Sequence, residues 1–260
     1  MGLIRSSGLV ALGLALLACN CDMQTPHRIS YEEREAAQTK ILPAPYKAIY
    51  KIVIADPISG SFDLSGSCVG LFLTPTPTGY IFYGITARHL FLDAVGKPLS
   101  LYLHDIGKNI SDNKDDITEL YPIIEAESSP SFDIAVFKAK IPFEVPVIDI
   151  NWSEPNEGDE VLACGFPLGV GKAITSGFVG CKDIGDNSYY TSAYVTFGES
   201  GGAIIDRKTN KLIGIITGTV FLTYDGIRFP AHMLNMMVSL NSIKDWIKER
   251  GEPWQSALLK

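Results

Sequence analysis

Twelve short runs of β-branched, aromatic and aliphatic residues, each bounded by turn-forming residues, limit the folds open to this chain more than any other feature. They predict strands over 47–56, 67–74, 80–87, 100–106, 120–127 and 133–140, and again over 161–166, 174–183, 189–195, 203–206, 212–222 and 227–234. A Pro-rich, acidic connector, 141–160, separates the two sets. In the last element, 240–249, Ile243, Trp246 and Ile247 recur at helical spacing, and Asn241 or Ser242 is placed to cap it. A chain this rich in strand must deal with unpaired edges, and closing each set on itself removes them. The expectation is an all-β fold of two six-stranded antiparallel barrels, 47–150 and 151–237, followed by a C-terminal helix and tail over 238–260. At 260 residues the chain is long enough to bury both cores.

The first residues read as a targeting segment rather than as part of the fold. Arg5 precedes an apolar run that closes with Leu16-Leu17-Ala18-Cys19, the layout of a secretory signal. The run is shorter than a membrane span requires. Leu-Leu-Ala-Cys resembles the bacterial lipobox, which implies cleavage after residue 18 and a lipid anchor on Cys19. The plainer reading is a secretion signal with an incidental cysteine. Residues 19–46 then form a polar tether, in which Ser30-Tyr31-Glu32-Glu33 suggests a short helix near 31–39. Four further cysteines, Cys21, Cys68, Cys164 and Cys181, allow three full pairings in an exported protein. Cys164 and Cys181, on strands expected to be neighbours, are the best candidates, with buried free thiols close behind.

A net charge of −7 without any basic cluster argues against a nucleic-acid groove. No Cys-x-x-Cys or His-x-x-x-His spacing points to a metal, and no cofactor is expected. Residues 165–172 imitate a phosphate loop, but the spacing to Gly171-Lys172 is wrong and Ala173 stands where Ser or Thr is needed. The acidic stretch 111–119 reads as a solvated loop rather than a calcium site. Asn109 and Asn151 open glycosylation acceptor triplets that a bacterial chain leaves idle.

Three segments carry chemistry: Thr86-Ala87-Arg88-His89, then Phe132-Asp133-Ile134-Ala135-Val136, then Gly198-Glu199-Ser200-Gly201-Gly202. A serine hydroxyl is a weak nucleophile and needs a base within hydrogen-bond reach. His89, just past an apolar strand, can present Nε2 to a serine while its Nδ1–H faces a carboxylate, and Asp133 opens the next apolar strand beside it. Glycines around Ser200 permit the tight backbone path that aims the N–H groups of Gly198 and Ser200 at one point. The same letters fit the nucleophile elbow of α/β-hydrolases. That fold requires a helix after the serine and a later histidine, whereas an apolar strand follows here and His232 is the only later histidine. The order His, Asp, Ser, at intervals of 44 and 67 residues, suits a site shared between two barrels.

These blocks together resemble the trypsin-like serine peptidases, in particular the bacterial Deg/HtrA-type branch. Gly66-Ser67-Cys68-Val69-Gly70 is similar to the strand that precedes the family's histidine, and Thr86 to His89 to its Thr-x-x-His block. Gly165-Phe166-Pro167-Leu168-Gly169 with Thr175-Ser176-Gly177-Phe178-Val179 is similar to the opening of the second barrel, and Leu212-Ile213-Gly214-Ile215 to the strand beyond the serine. The resemblance, over about 47–249, implies that Ser200 is the nucleophile, His89 the general base and then acid, and Asp133 its orienter. The N–H groups of Gly198 and Ser200 would form the oxyanion hole. It places the base of the specificity pocket near Tyr194 and its wall at Ile216, Thr217 and Gly218. With no acid at the base, small or medium aliphatic side chains are the expected preference.

Two departures from the family pattern stand out: Ala203 replaces the usual proline, and Glu199 stands where zymogens carry an aspartate that pairs with a new N-terminus. No activation site precedes residue 47, so no propeptide switch is expected, and no PDZ domain follows the last helix. The sequence thus points to a lipid-anchored serine endopeptidase of the periplasm or cell surface that acts on protein or peptide substrates. The alternative is a catalytically silent peptide-binding lipoprotein of the same fold.

Overall fold

Strands form in the two expected sets of six, and each set closes. A computed structural model describes residues 44–55, 62–93, 99–102, 120–169, 171–183, 185 and 188–259. The expected signal, Cys19, Cys21, the helix near 31–39 and the acidic stretch 111–119 lie outside them. In the first barrel, β1 (Ile49–Ala55), β2 (Phe62–Thr76), β3 (Gly79–Thr86), β4 (Leu99–Tyr102), β5 (Leu120–Ser128) and β6 (Ala135–Ile141) pair in the order β1-β2-β3-β6-β5-β4. In the second, β7 (Glu160–Gly165), β8 (Ala173–Lys182), β9 (Ser188–Thr191), β10 (Ala203–Asp206), β11 (Lys211–Tyr224) and β12 (Ile227–Ser239) pair in the order β10-β11-β12-β9-β8-β7. Every strand pairing within them is antiparallel.

The near-continuous apolar runs have a physical cause: several strands are buried on both faces. Along β3, Phe82 points into the first barrel's core, whereas Tyr83 and Ile85 join the core between the barrels. Along β6, Phe137, Ala139 and Ile141 face inward and Val136 faces the seam. The second barrel is filled by Val161, Ala163, Ile204, Ile213, Ile216 and Met237. Fully burying a side chain such as Phe82 or Ile204 stabilises by roughly 1.5–3 kcal/mol, so the seam contributes as heavily as either interior.

The C-terminal element differs in detail from the expectation. A 3-10 turn, Asn241–Ile243, leads into α2 (Lys244–Glu249), and neither Asn241 nor Ser242 caps it. The Ser239 hydroxyl instead accepts the Asn241 N–H at 3.2 Å. A further helix, α3 (Trp254–Leu258), sets Trp254 edge-on to both Phe72 and Tyr83, whose rings stack at 4.2 Å. The Trp152 indole N–H donates to Leu258 O at 2.8 Å. The first-barrel face and the connector to the second are thereby tied to one short helix. The remaining helix, α1 (His89–Asp93), follows β3 directly.

The cysteine pairing favoured by the sequence is not found: Cys68, Cys164 and Cys181 are free thiols. β7 and β8 are neighbours, but their register sets Cys164 opposite Ile174. Cys181 lies seven residues further along β8, about 23 Å at strand rise.

Candidate active site

His89 is held at two points by one carboxylate. β3 ends at Thr86, and the chain turns so that His89 becomes the first residue of α1. Asp133 Oδ1 accepts the His89 backbone N–H at 2.8 Å, and Asp133 Oδ2 lies 2.6 Å from His89 Nδ1. A carboxylate accepts only, so Nδ1 carries the proton and Nε2 is the basic atom. Asp133 is thus a cap for α1 as well as the imidazole's partner. It lies in the loop before β6 rather than opening the strand, as expected from sequence. The Ser129 hydroxyl shapes that loop by accepting the N–H groups of Ser131 and Phe132 at 3.3 and 3.2 Å. Arg88 fastens it further, donating its N–H to Asp133 O at 3.3 Å and Nη1 to Ser129 O at 2.9 Å.

The turn bearing Ser200 comes from the second barrel and docks on the first. Ser67 N–H donates to Ser200 O at 2.8 Å, and Gly201 N–H to Ile216 O at 2.7 Å. Gly201 has φ +83°, and a Cβ there would lie 2.0 Å from Thr86 Oγ1 and 2.1 Å from Ser67 O. Only glycine fits this approach. Gly66 is equally confined: a Cβ would meet Ser200 O at 2.8 Å and the Leu90 side chain of α1 at 2.6 Å. The contacts bring the Ser200 turn, Thr86 and α1 into one seam, beside the His89–Asp133 pair. His89 and Asp133 side chains are each 31 % exposed. Among the described residues, no acceptor takes the N–H of Gly198 or of Ser200.

Glu199 is buried within this turn. Its Oε2 accepts the Thr196 N–H at 2.7 Å, while Oε1 meets no hydrogen-bond partner among the described residues. Burial raises its pKa against the opposing effect of the Thr196 N–H. The residues expected to form a specificity pocket have different settings. Tyr194 is half-exposed, and its carbonyl accepts the Thr175 hydroxyl at 2.6 Å. Thr217 lines a cavity of about 250 Å³ with Ser131, Asp133, Ser188, Met236 and Val238. Gly218 lies at the bulge that follows Ile216 on β11, with open space where a Cβ would project. The Ile216 side chain is not a wall: it is wholly buried in the second barrel's core, and only its backbone meets the Ser200 turn.

No motif marks the polar network behind the turn. The Ser67 hydroxyl donates to Gly198 O at 2.8 Å and accepts the Phe166 N–H at 2.9 Å. Leu168, at φ 50°, donates its N–H to Phe197 O at 2.7 Å. Two lysines flank this loop. Lys51 Nζ donates to Gly169 O at 3.1 Å, and Lys172 Nζ donates to Tyr46 O at 3.0 Å. Burial lowers the pKa of each to about 8. A lysine inside the apolar run Tyr50-Lys51-Ile52-Val53 was the one available clue. Among the described residues, no group of His, Cys, Asp and Glu side chains is arranged to hold a metal ion. None of the described helices is long and apolar enough to cross a membrane.

Comparison with known proteins gives a consistent result. The sequence profile of the trypsin-like peptidase domain matches residues 68–215. A probable periplasmic serine endoprotease, DegP-like, of Buchnera aphidicola is 32% identical over 135 residues, which are 49% of this chain and 28% of that protein. The serine endoprotease DegS of Escherichia coli K12 is 35% identical over 102 residues, 36% of this chain and 28% of that one. The chain therefore spans little over a quarter of these curated relatives. Among solved structures, the HtrA-type protease AlgW with a decapeptide aligns with TM-score 0.56 at 20% identity, over 87% of this chain and 69% of that chain. The serine endoprotease from Yersinia pestis aligns with TM-score 0.54 at 22% identity, over 85% and 66%. At such identities the structural likeness is one of fold.

Proposed function

Because the chain belongs to the trypsin-like peptidase domain family, we propose that it is a serine endopeptidase that works through an acyl-enzyme on Ser200. The observation that carries this reading is the two-point hold of Asp133 on His89, at 2.8 and 2.6 Å, beside the docked Ser200 turn. Nε2 takes the Ser200 proton as Oγ attacks the scissile carbonyl, then returns it to the leaving amine. A water molecule repeats the cycle to release the acyl group. Asp133 keeps the proton on Nδ1 and stabilises the imidazolium that forms. The N–H groups of Gly198 and Ser200 receive the oxyanion, each donor being worth roughly 100- to 1000-fold in rate.

The natural substrates are protein or peptide segments, bound in extended form along β11 beyond Ile216. Thr217 and Gly218 form one side of the specificity pocket and Tyr194 its base. With no carboxylate assigned there, a small or medium aliphatic residue fits; cleavage of a peptide library strictly after Arg or Lys would overturn this preference.

The chain works outside the cytoplasm, in the periplasm or at the cell surface, held to a membrane by lipid on Cys19. The support is the Leu16-Leu17-Ala18-Cys19 sequence, together with one relative, of Buchnera aphidicola, named as a probable periplasmic serine endoprotease. Several acyl chains, at about 0.8 kcal/mol per buried CH₂, are enough for stable anchoring. Cys19→Ser is expected to abolish lipid incorporation and release the protein from membranes; unchanged partitioning would count against the anchor. For the enzyme reading, a fluorophosphonate is expected to label wild-type protein and not Ser200→Ala. Failure of correctly folded wild-type protein to label would reject it in favour of a peptide-binding lipoprotein.

A further inference from the structure

We propose that Ser67 is a positioning residue for the oxyanion hole, its hydroxyl fixing the peptide group that follows Gly198. Ser67 is wholly buried on β2, and all its polar groups are engaged. Its N–H donates to Ser200 O at 2.8 Å, and its carbonyl accepts the Thr86 hydroxyl at 2.7 Å. Its hydroxyl accepts the Phe166 N–H at 2.9 Å and donates to Gly198 O at 2.8 Å. The polarity of this last pair is not free to reverse. A backbone N–H can only donate, so Phe166 occupies a lone pair of Oγ and the single hydroxyl proton goes to the Gly198 carbonyl.

The consequence falls on Gly198, whose φ of +89° suits glycine and which has no side chain to restrain it. The carbonyls on both sides of its Cα are anchored instead: Phe197 O by the Leu168 N–H at 2.7 Å, and Gly198 O by Ser67 at 2.8 Å. In a trans peptide unit the C=O and N–H point in opposite directions. Anchoring Phe197 O therefore sets the direction of the Gly198 N–H. Anchoring Gly198 O stops rotation about the next bond, toward Ser200. Removing the hydroxyl leaves the Phe166 N–H and Gly198 O without partners inside the seam, and leaves the peptide unit after Gly198 to the weaker hold of the Glu199 N–H on Thr196 O at 3.2 Å.

The kinetic part of the test rests on the endopeptidase reading; the exchange part does not. Ser67→Ala is expected to speed hydrogen–deuterium exchange across 196–202 by about tenfold. It should lower kcat for a peptide amide by about 10- to 100-fold, less than outright loss of an oxyanion donor, with KM within about threefold. Ser67→Thr and Ser67→Val serve as a matched pair, since both add a methyl group and only one keeps the hydroxyl. The threonine variant should stay near wild type in exchange and in kcat, and the valine variant near alanine. Exchange in Ser67→Ala equal to wild type, or threonine and valine variants that cannot be told apart, would overturn the proposal. So would a fall in kcat accompanied by faster exchange throughout the first barrel. If wild-type protein is inert to a fluorophosphonate, the endopeptidase reading falls, and the exchange comparison still decides the role of Ser67.

Discussion

Asp133→Asn tests the two-point hold directly. The carboxylate performs two acceptor tasks, one for the His89 backbone N–H at 2.8 Å and one for Nδ1 at 2.6 Å. An amide has a single acceptor oxygen. If that oxygen stays on the backbone N–H, the NH₂ group faces Nδ1, the ring proton moves to Nε2, and the base is lost. If the amide turns round, Nδ1–H is satisfied, but two N–H donors meet at the backbone. An unsatisfied donor costs about 1–3 kcal/mol, which leaves the competent arrangement populated at roughly 1–15%. The imidazolium also loses its counter-charge, about 4 kcal/mol at 4 Å and an effective dielectric of 20, or about a thousandfold. The product is a fall in kcat of about 10⁴, the size seen when this substitution is made in a catalytic triad. The assay is hydrolysis of a peptide p-nitroanilide from pH 6 to 10, with the tautomer read by ¹⁵N chemical shifts of the ring. Because the oxygen can still cap α1, the variant should remain folded by circular dichroism. Retention of more than about a tenth of wild-type kcat by folded protein would refute the reasoning.

Other expectations follow from the buried groups. Lys51 has its pKa lowered from 10.5 to about 8 by burial, so the unfolded chain holds more protons between those values. Its contribution to stability is unfavourable below pH 8 and is relieved as pH rises toward 10.5, by up to about 3 kcal/mol. Lys51→Met should therefore stabilise the protein at pH 7 in urea titrations, with the advantage shrinking by pH 10.5; an advantage that does not vary with pH would contradict this. Glu199 has a raised pKa, so its native state favours the neutral acid and stability is lost as pH rises through the unfolded value near 4.5. Glu199→Gln should be more stable than wild type at pH 7 and equal to it at pH 3, measured by thermal melting; equal stability at pH 7 would be contrary. Cys181 is exposed whereas Cys68 and Cys164 are buried, with burial raising the Cys164 pKa to about 12. Under native conditions maleimide should be found by peptide mapping on Cys181 and not on the other two.

Much of this was legible from local pattern. The apolar runs announced every strand, and His89, Asp133 and Ser200 each sit in a block whose neighbours reveal its setting. Boundaries were less legible where pairing rather than composition decides them. β2 runs back to Phe62 because it follows β1 as far as Ala55, past a bulge. β9 stops at Thr191, although Ala193 and Val195 beyond it are buried, because its ladder with β12 ends at Asn235. Ser67 was visible only as a letter in a strand, since its hydroxyl partners lie 99 and 131 residues away. Ile216 illustrates the converse: its backbone faces the site, but strand alternation sends its side chain to the core.

Trp254, set edge-on against Phe72 and Tyr83, follows both barrels in chain order. A chain that emerges from its N-terminus can close each barrel in turn, since domains fold as units during synthesis. The helix that covers this first-barrel face is made after both. His89 and Ser200, on opposite barrels, take their spacing from the direct bonds between the barrels, among them Ser67 N–H to Ser200 O and Lys51 Nζ to Gly169 O. A nick ahead of Trp254 would therefore uncover the Phe72–Tyr83 stack while leaving the bonds that join the two barrels in place.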